Sequence, residues 1–268
     1  MRGEVQLRPD RLAVLIDGDN VSADFVESLL KEVSKYGTAY VKRIYGDWTT
    51  PQLKQWKDKL AEFAIQPVQQ FPYTKGKNAT DAALIIEAMD LLYTQNFDGF
   101  CIVSSDSDFT PLASRIRASG LVVYGFGERS KTPRAFVQAC DKFTYTDILL
   151  QQAEALAPTV VTETKLEQPS RTNQPEATMT ATKPQGVDLE EAKTLLRSAY
   201  EVAAQEESWV ELGLFGNRLT QLHPDFDSRT YGCKQLKQLI KLVGIFDLQE
   251  TPSEKNPAHK SVQIKLRV

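Results

Sequence analysis

Aspartates follow two apolar runs of this chain at the points where the runs end. Asp17 follows the run Leu12–Ile16, while Asp106 and Asp108 come shortly after the run Gly99–Val103. Both runs have the composition of buried strands, and the carboxyl ends of parallel strands converge on one crevice, where ligands bind. Two carboxylates about 4 Å apart repel each other by roughly 4 kcal/mol at an effective dielectric constant near 20. A hard divalent cation, Mg²⁺ or Mn²⁺, would convert that repulsion into attraction.

A third acidic position, Asp81, lies between the two motifs along the chain. The predicted metal ligands, which are also the predicted catalytic residues, are Asp17, Asp81, Asp106 and Asp108. We expect Asn20 to be their polar companion, because a side-chain amide can orient a metal-bound water or a phosphate. In two-metal sites the ions lie about 3.5–4 Å apart and assist both the attacking and the leaving oxygen. The pattern therefore favours metal-assisted hydrolysis of phosphodiesters.

Helix capping is the alternative interpretation of the same residues. Asparagine, aspartate, serine and threonine at the start of a helix bind its first backbone amides. The candidates for this role are Asp19, Asn20, Ser22, Thr80, Ser107 and Asp108. Capping does not account for Asp17 at a strand end, nor for two such motifs with an acidic position between them.

Lysines near these motifs are candidates for contact with phosphates. Lys75 and Lys77 lie in the predicted loop before Asp81, and a second group recurs at helical spacing near the C-terminus: Lys234, Lys237 and Lys241. Binding through them would depend on salt. Solvated surface lysines are the alternative, since a net charge of −3 is weak evidence against nucleic-acid binding.

The elements that must position these residues alternate between strand and helix from Leu12 to about Ile148. This alternation predicts an α/β fold with a parallel sheet between helices. The six predicted strands are Leu12–Ile16, Ala39–Tyr45, Gln66–Phe71, Gly99–Val103, Val122–Phe126 and Lys142–Tyr145. The predicted helices between them are Ala23–Tyr36, Thr50–Phe63, Thr80–Tyr93, Phe109–Ala118 and Arg134–Ala139.

The chain changes character after this region. Residues 150–187 are rich in Thr, Gln, Pro and Glu, which predicts a flexible linker between a domain at 11–149 and a domain at 188–268. Three helices and a β-hairpin are predicted for the second domain, with the helices at Glu190–Ala204, Leu214–Leu222 and Thr230–Val243. This layout is typical of a winged helix-turn-helix.

Composition limits the class of protein. Hydrophobic residues make up 41% and charged residues 25% of 268 residues, as expected for a globular protein. No apolar run approaches the roughly 20 residues that span a bilayer, and the first ten residues do not resemble a signal peptide. The three cysteines are few and widely spaced. They predict buried thiols in a reducing cytoplasm.

Three segments resemble the NYN domains, a branch of the PIN-like nucleases also called LabA-like or DUF88. The segments are Leu15–Asn20, Lys77–Leu84 and Val103–Phe109, and Tyr45–Trp48 is similar to the family's second-strand segment. The resemblance covers roughly residues 11–149. It implies a PIN-like α/β sandwich and metal-dependent cleavage of RNA. We expect the RNA to be single-stranded. Carried over position by position, the resemblance implies that the acidic metal-binding positions of the family are Asp17, Asp81, Asp106 and Asp108. Asn20 matches the polar residue that accompanies them in the family.

Residues from about 188 to 268 resemble the OST-type helix-turn-helix, or LOTUS, domain. The likeness is carried by Leu222–Phe226 and Tyr231–Lys234. It implies RNA or protein partners for this domain.

Two other functions are compatible with the residues. One is a non-catalytic, RNA-binding regulatory adaptor with an idle acidic site. The other is a phosphatase of the haloacid-dehalogenase type, because the segment Asp17–Val21 fits the opening motif of that family with Asp17 as nucleophile. The sequence shows no convincing later Ser/Thr or lysine motif in the order that such a phosphatase requires.

Overall fold

The structure is a computed structural model of the chain and describes residues 9–71, 79–156, 189–204, 209–252 and 260–267. Six strands pair in parallel: β1 (Arg11–Asp17), β2 (Thr38–Gly46), β3 (Gln66–Gln69), β4 (Gly99–Val103), β5 (Val122–Gly127) and β6 (Lys142–Tyr145). Their order across the sheet is β3-β2-β1-β4-β5-β6. The predicted α/β fold is confirmed, and each of these strands overlaps a predicted strand.

Helices cover both faces of this sheet: α1 (Val26–Val33), α2 (Trp56–Glu62), α3 (Ala79–Tyr93), α4 (Thr110–Ala118), α5 (Arg134–Ala139) and α6 (Thr146–Leu156). Successive residues of a strand point to opposite faces. In β1, Leu12, Val14 and Ile16 belong to the core that α1 covers. Ala13 and Leu15 belong to the core that α3 and α4 cover. The result is a sandwich of three layers with an apolar core on each side of the sheet.

Helix α6 extends past the residue at which the linker is predicted to begin. It runs from Thr146 to Leu156 and therefore crosses the predicted boundary at residue 149. Ile148 and Leu149 are buried and anchor the helix on the domain. The following Gln, Ala, Glu and Leu residues have high helix propensity, which outweighs the polar composition that predicted a linker. Residues 157–188, the remainder of the predicted linker, lie outside the described residues.

The C-terminal part of the chain forms a smaller domain. Its helices are α7 (Leu189–Ala204), α8 (Leu212–Leu222) and α9 (Leu236–Val243), and its strands are β7 (Val210–Glu211), β8 (Phe246–Pro252) and β9 (Lys260–Leu266). The strands pair antiparallel in the order β7-β9-β8. The third helix starts later than its predicted residue, Thr230. Gly232 has a left-handed φ of 74° and separates the 3-10 helix Ser228–Tyr231 from α9.

The C-terminal domain packs against β6, the edge strand of the parallel sheet. The backbone amide of Phe143 donates to the carbonyl of Pro224 at 2.8 Å, which satisfies part of the open edge. Asp225 accepts hydrogen bonds from Arg134 at 2.9 Å and from the Tyr145 hydroxyl at 3.1 Å. The two domains therefore meet through backbone and side-chain hydrogen bonds.

An ion pair between Arg229 and Glu32, at the end of α1, also joins the domains. Nη1 of Arg229 donates to Oε2 of Glu32 at 2.8 Å and Nη2 donates to Oε1 at 3.1 Å. Burial alone would raise the pKa of Glu32, but hydrogen bonds from Arg229, Lys35 and Tyr36 outweigh it and lower the pKa to about 2. Because a buried charge is costly without its partner, this pair favours one docked arrangement.

Two further predictions concern the cysteines and the possibility of a membrane-spanning segment. Cys101, Cys140 and Cys233 are free and buried, as predicted. Burial raises the pKa of the Cys140 thiol to about 12, which makes it a poor nucleophile. Within the described ranges, no helix combines the length and the apolar character needed to cross a bilayer.

Candidate metal centre

The candidate site lies at the carboxyl ends of β1 and β4, which are neighbours in the middle of the sheet. Ile16 lies opposite Val103 in the register of this pair. The next residues, Asp17 and Ser104, therefore lie side by side at this end of the sheet. β2 and β3 lie on one side of β1, and the later strands β4, β5 and β6 lie on its other side. The direction in which strands are added to the sheet therefore reverses between β1 and β4. Open α/β sheets form their binding crevice at such a switch point.

Three of the four predicted aspartates have carboxylate oxygens within 4.8 Å of one another: Asp81, Asp106 and Asp108. Asp81 comes from the first turn of α3, and only 8% of its surface is exposed. Asp106 follows β4 and is half-buried, while Asp108 lies in the 3-10 helix Ser107–Phe109 and is exposed. Two distant segments of the chain therefore offer oxygen ligands to one position.

Asp17 lies close enough to act on the charge of Asp81, but it is not one of these three. Its Oδ2 accepts hydrogen bonds from Asn20 Nδ2 and from Ser104 Oγ, each at 2.7 Å. Its Oδ1 is buried and has no hydrogen-bond partner among the described residues. Of the four predicted ligands, the structure brings three together and places Asp17 beside them. Asn20 orients Asp17 in the structure, where the sequence predicted that it orients a water or a phosphate.

Negative charge accumulates at this site. Burial, and then the charges of Asp17, Asp106, Asp108 and Asp19, raise the pKa of Asp81 to about 6. Burial also raises the pKa of Asp17, although the hydrogen bonds from Asn20 and Ser104 oppose that rise. A hard cation would relieve both effects. The oxygen-only donor set and the unpaired Oδ1 of Asp17 fit Mg²⁺ or Mn²⁺ better than metals that prefer nitrogen or sulfur.

Two residues contribute to the site in a way that the sequence did not predict. Asp19 and Thr80 were interpreted as helix caps, but Thr80 Oγ1 donates to Asp19 Oδ2 at 2.8 Å. This bond ties the loop after β1 to the start of α3, which carries Asp81. The Asp-x-Asp spacing of Asp17 and Asp19 was the signal that could have identified the second aspartate.

Gly18 allows this loop to run close to β2. Its amide donates to the carbonyl of Tyr45 at 2.8 Å. A Cβ atom at position 18 would lie 2.9 Å from the same oxygen, so a larger residue would push the loop away. The position of Asp19 therefore depends on the glycine before it.

Helix capping is also present at the site. Oδ1 of Asp106 accepts from the backbone amide of Asp108 at 2.9 Å, and Asp106 is the N-cap of the 3-10 helix. The capping interpretation and the metal interpretation are therefore compatible for this residue. The cap holds Asp106 and Asp108 in a fixed relation to each other.

The predicted lysine face of the third helix is not formed as expected. Lys75 and Lys77 lie outside the described residues. Lys234 precedes α9, whose N-cap is Gln235, so it does not share a helix face with the other two lysines. Lys237 forms an ion pair with Glu250 at 2.6 Å, and Lys241 is exposed.

The comparisons with known proteins agree with this architecture. A family model described as the NYN domain matches residues 11–150, and one described as the OST-HTH/LOTUS domain matches residues 188–257. An uncharacterized protein of Methanocaldococcus jannaschii is 28% identical over 122 residues, which are 44% of this chain and 47% of that protein. This chain thus spans about half the length of the curated relative it matches.

Solved structures are also similar to parts of the chain. A protein of unknown function from Vibrio parahaemolyticus aligns with a TM-score of 0.44 and 17% identity over 52% of this chain and 94% of its own. An uncharacterized protein of Nitrosomonas europaea aligns with a TM-score of 0.26 and 32% identity over 38% of this chain and 93% of its own. Since the first family model matches more than half of the sequence, the chain belongs to the NYN domain family, a family of nucleases, and carries a C-terminal OST-HTH/LOTUS domain.

Proposed function

We propose that this chain is a metal-dependent ribonuclease that hydrolyses phosphodiester bonds of single-stranded RNA with Mg²⁺ or Mn²⁺. The observation that carries the proposal is the cluster of Asp81, Asp106 and Asp108 beside Oδ1 of Asp17, which has no hydrogen-bond partner in the described part of the chain. Repelling carboxylates in a sheet crevice destabilise the folded protein, and perturbed groups in clefts are typical of functional sites. The NYN family supplies the reaction class.

The residues of the site divide into ligands and supports. Asp81, Asp106 and Asp108 would hold the ion, with Oδ1 of Asp17 as a further ligand. A bound ion of this kind lowers the pKa of a water and neutralises charge on the phosphate. Asn20 and Ser104 bind the other oxygen of Asp17 and so fix the direction in which Oδ1 points. Residues 11–149 contain no histidine, so imidazole is not the base.

The C-terminal domain is proposed to bind RNA or a protein partner, as the OST-HTH/LOTUS family suggests. Its docking on β6 places it next to the nuclease domain. The proposed location is the cytoplasm, where a reducing environment keeps buried thiols unpaired.

Cleavage of a 5′-labelled single-stranded RNA tests the proposal. We expect cleavage with Mg²⁺ or Mn²⁺, none in EDTA, and a loss of at least 100-fold in Asp106→Asn and Asp81→Asn. Asp58→Asn, which neutralises an exposed aspartate on α2, is the matched control and should cleave like the wild type. Wild-type rates in the two site variants, or cleavage that persists in EDTA, would show that this assignment is wrong.

The two alternative functions make different predictions. For a regulatory adaptor, RNA would bind in EDTA and no product would form at high protein concentration with Mn²⁺. For a phosphatase, Asp17 would have to reach its substrate as a nucleophile. Asp17 is 1% exposed and its Oδ1 is buried, which disfavours that role.

A further inference from the structure

The two domains enclose a cleft of about 390 Å³ beside β6. The end of α1 and the start of β6 form one wall, and α8 with the 3-10 helix Ser228–Tyr231 forms the other. Its volume lies within the roughly 300–1,000 Å³ of ligand-binding sites. β6 is two strands away from β4, about 10 Å across the sheet. The cleft is therefore separate from the aspartate cluster.

Positive charge exceeds negative charge on the walls of this cleft. The two acidic side chains are Glu32 and Asp227, and the four cationic side chains are Lys35, Lys142, Arg229 and Lys234. Both carboxylates already accept hydrogen bonds from Arg229, and Glu32 also pairs with Lys35. Among the described residues, neither Lys142 nor Lys234 forms an ion pair with a carboxylate, in a chain whose net charge is −3.

Lys142 is the residue of the cleft whose charge a bound anion would stabilise most. It is half-buried at the start of β6, and its ammonium lies 5.0 Å from the centre of the Tyr36 ring. In the described part of the chain this ammonium has no hydrogen-bond or ion-pair partner. Burial also lowers its pKa. An ammonium that loses water without gaining an acceptor is costly, and an anion in the cleft would supply that acceptor.

Neutral donors line the same cleft. The side-chain amide of Asn217 and the hydroxyl of Ser228 have no hydrogen-bond partner within the described ranges. Lysine, serine and asparagine are the side chains that commonly bind phosphate oxygens. We infer that the cleft between the domains binds a phosphate group, which belongs either to an RNA strand or to a free nucleotide. The RNA source rests on the proposed function above.

RNA binding in EDTA tests the first source, because metal-dependent cleavage does not occur there. Lys142→Met is expected to weaken binding at least fivefold and to lower the salt slope of log K by about one. Lys31→Met is the matched control, since it removes an exposed lysine from α1, and should change binding less than twofold. Lys234→Met, at an exposed position, should weaken binding as well, and Lys142→Arg should keep binding close to that of the wild type.

Titration with uridine 5′-monophosphate and inorganic phosphate tests the second source. Binding to the wild type that Lys142→Met removes, with unchanged RNA affinity, assigns the cleft to a free nucleotide. If Lys142→Met and Lys234→Met bind RNA and nucleotide as Lys31→Met does, the inference is overturned. Because these assays measure binding in EDTA, an absence of cleavage by the wild type with Mg²⁺ or Mn²⁺ would overturn the ribonuclease proposal without affecting this one.

Discussion

Ser104 donates its hydroxyl to Oδ2 of Asp17 at 2.7 Å and so links the ends of the two central strands. The same Oγ accepts from the backbone amide of Asp106 at 3.1 Å. One buried side chain therefore connects Asp17 with the aspartate cluster. In the proposed site Ser104 is a positioning residue, since it acts through Asp17.

Ser104→Ala should weaken the site without removing a ligand. In this variant Oδ2 of Asp17 would keep one of its two hydrogen bonds, the one from Asn20. Loss of such a supporting hydrogen bond typically lowers metal affinity or activity by about 10–100-fold. Calorimetric titration with Mn²⁺ and the rate of RNA cleavage measure the effect. Ser114→Ala, an exposed change on α4, is the control. Equal Mn²⁺ affinity in both variants would contradict the role of Ser104.

Asp81→Asn should stabilise the metal-free protein. The pKa of Asp81 is raised from 3.8 to about 6, so its charged form at pH 7 is unfavourable in the folded state. Neutralising it should increase the free energy of unfolding by about 1–3 kcal/mol in EDTA. Urea denaturation measures this difference.

Saturating Mn²⁺ should reverse the order, because a ligand that binds the folded state stabilises it and only the wild type keeps all ligands. Asp58→Asn should behave like the wild type in both conditions. A lower stability of Asp81→Asn in EDTA would be inconsistent with carboxylate repulsion at the site.

The sequence predicted the parts of the site that depend on local order. Apolar runs placed β1 and β4, and parallel pairing then brought the residues after them together, so Asp17 and Asp106 were found. The bond between Thr80 and Asp19 joins residues 61 apart and depends on how α3 packs, which no local pattern contains. For the same reason the sequence could not show that Asp17 lies beside the cluster.

The docking of the domains was beyond sequence reasoning. Arg229 and Glu32 are 197 residues apart, and neither residue lies in a motif. The cleft that contains Lys142 exists only because of that docking. The late start of α9 had a visible signal in Gly232, but a glycine alone does not show whether a helix ends or continues.

Acid should weaken the docked state through Glu32. Its pKa falls from 4.5 to about 2 on folding, so the ionised group stabilises the folded protein above pH 4.5 and this contribution is lost as the pH falls towards 2. The wild type should exceed Glu32→Gln by about 3 kcal/mol in unfolding free energy at pH 6. The difference should approach zero near pH 2. A difference that is the same at both pH values would contradict the ion pair.

Arg229→Met should destabilise the docked arrangement more than the loss of one surface charge. It removes the guanidinium that binds both Glu32 and Asp227 and leaves Lys35 as the remaining ion-pair partner of Glu32. Breaking a buried pair typically costs about 3–5 kcal/mol. Arg218→Met, on α8, removes an arginine that bonds only to Gln221 among the described residues. Urea denaturation of both variants measures the contrast. Equal stability would show that the pair does not hold the domains together.

The central claim is that the aspartate cluster binds a divalent cation. A crystal soaked in Mn²⁺ and measured near the manganese absorption edge tests it most directly. The account predicts an anomalous peak in contact with oxygens of Asp81, Asp106 and Asp108, next to Oδ1 of Asp17, and no such peak in Asp106→Asn. No anomalous density at these carboxylates in well-ordered, saturated crystals would contradict it.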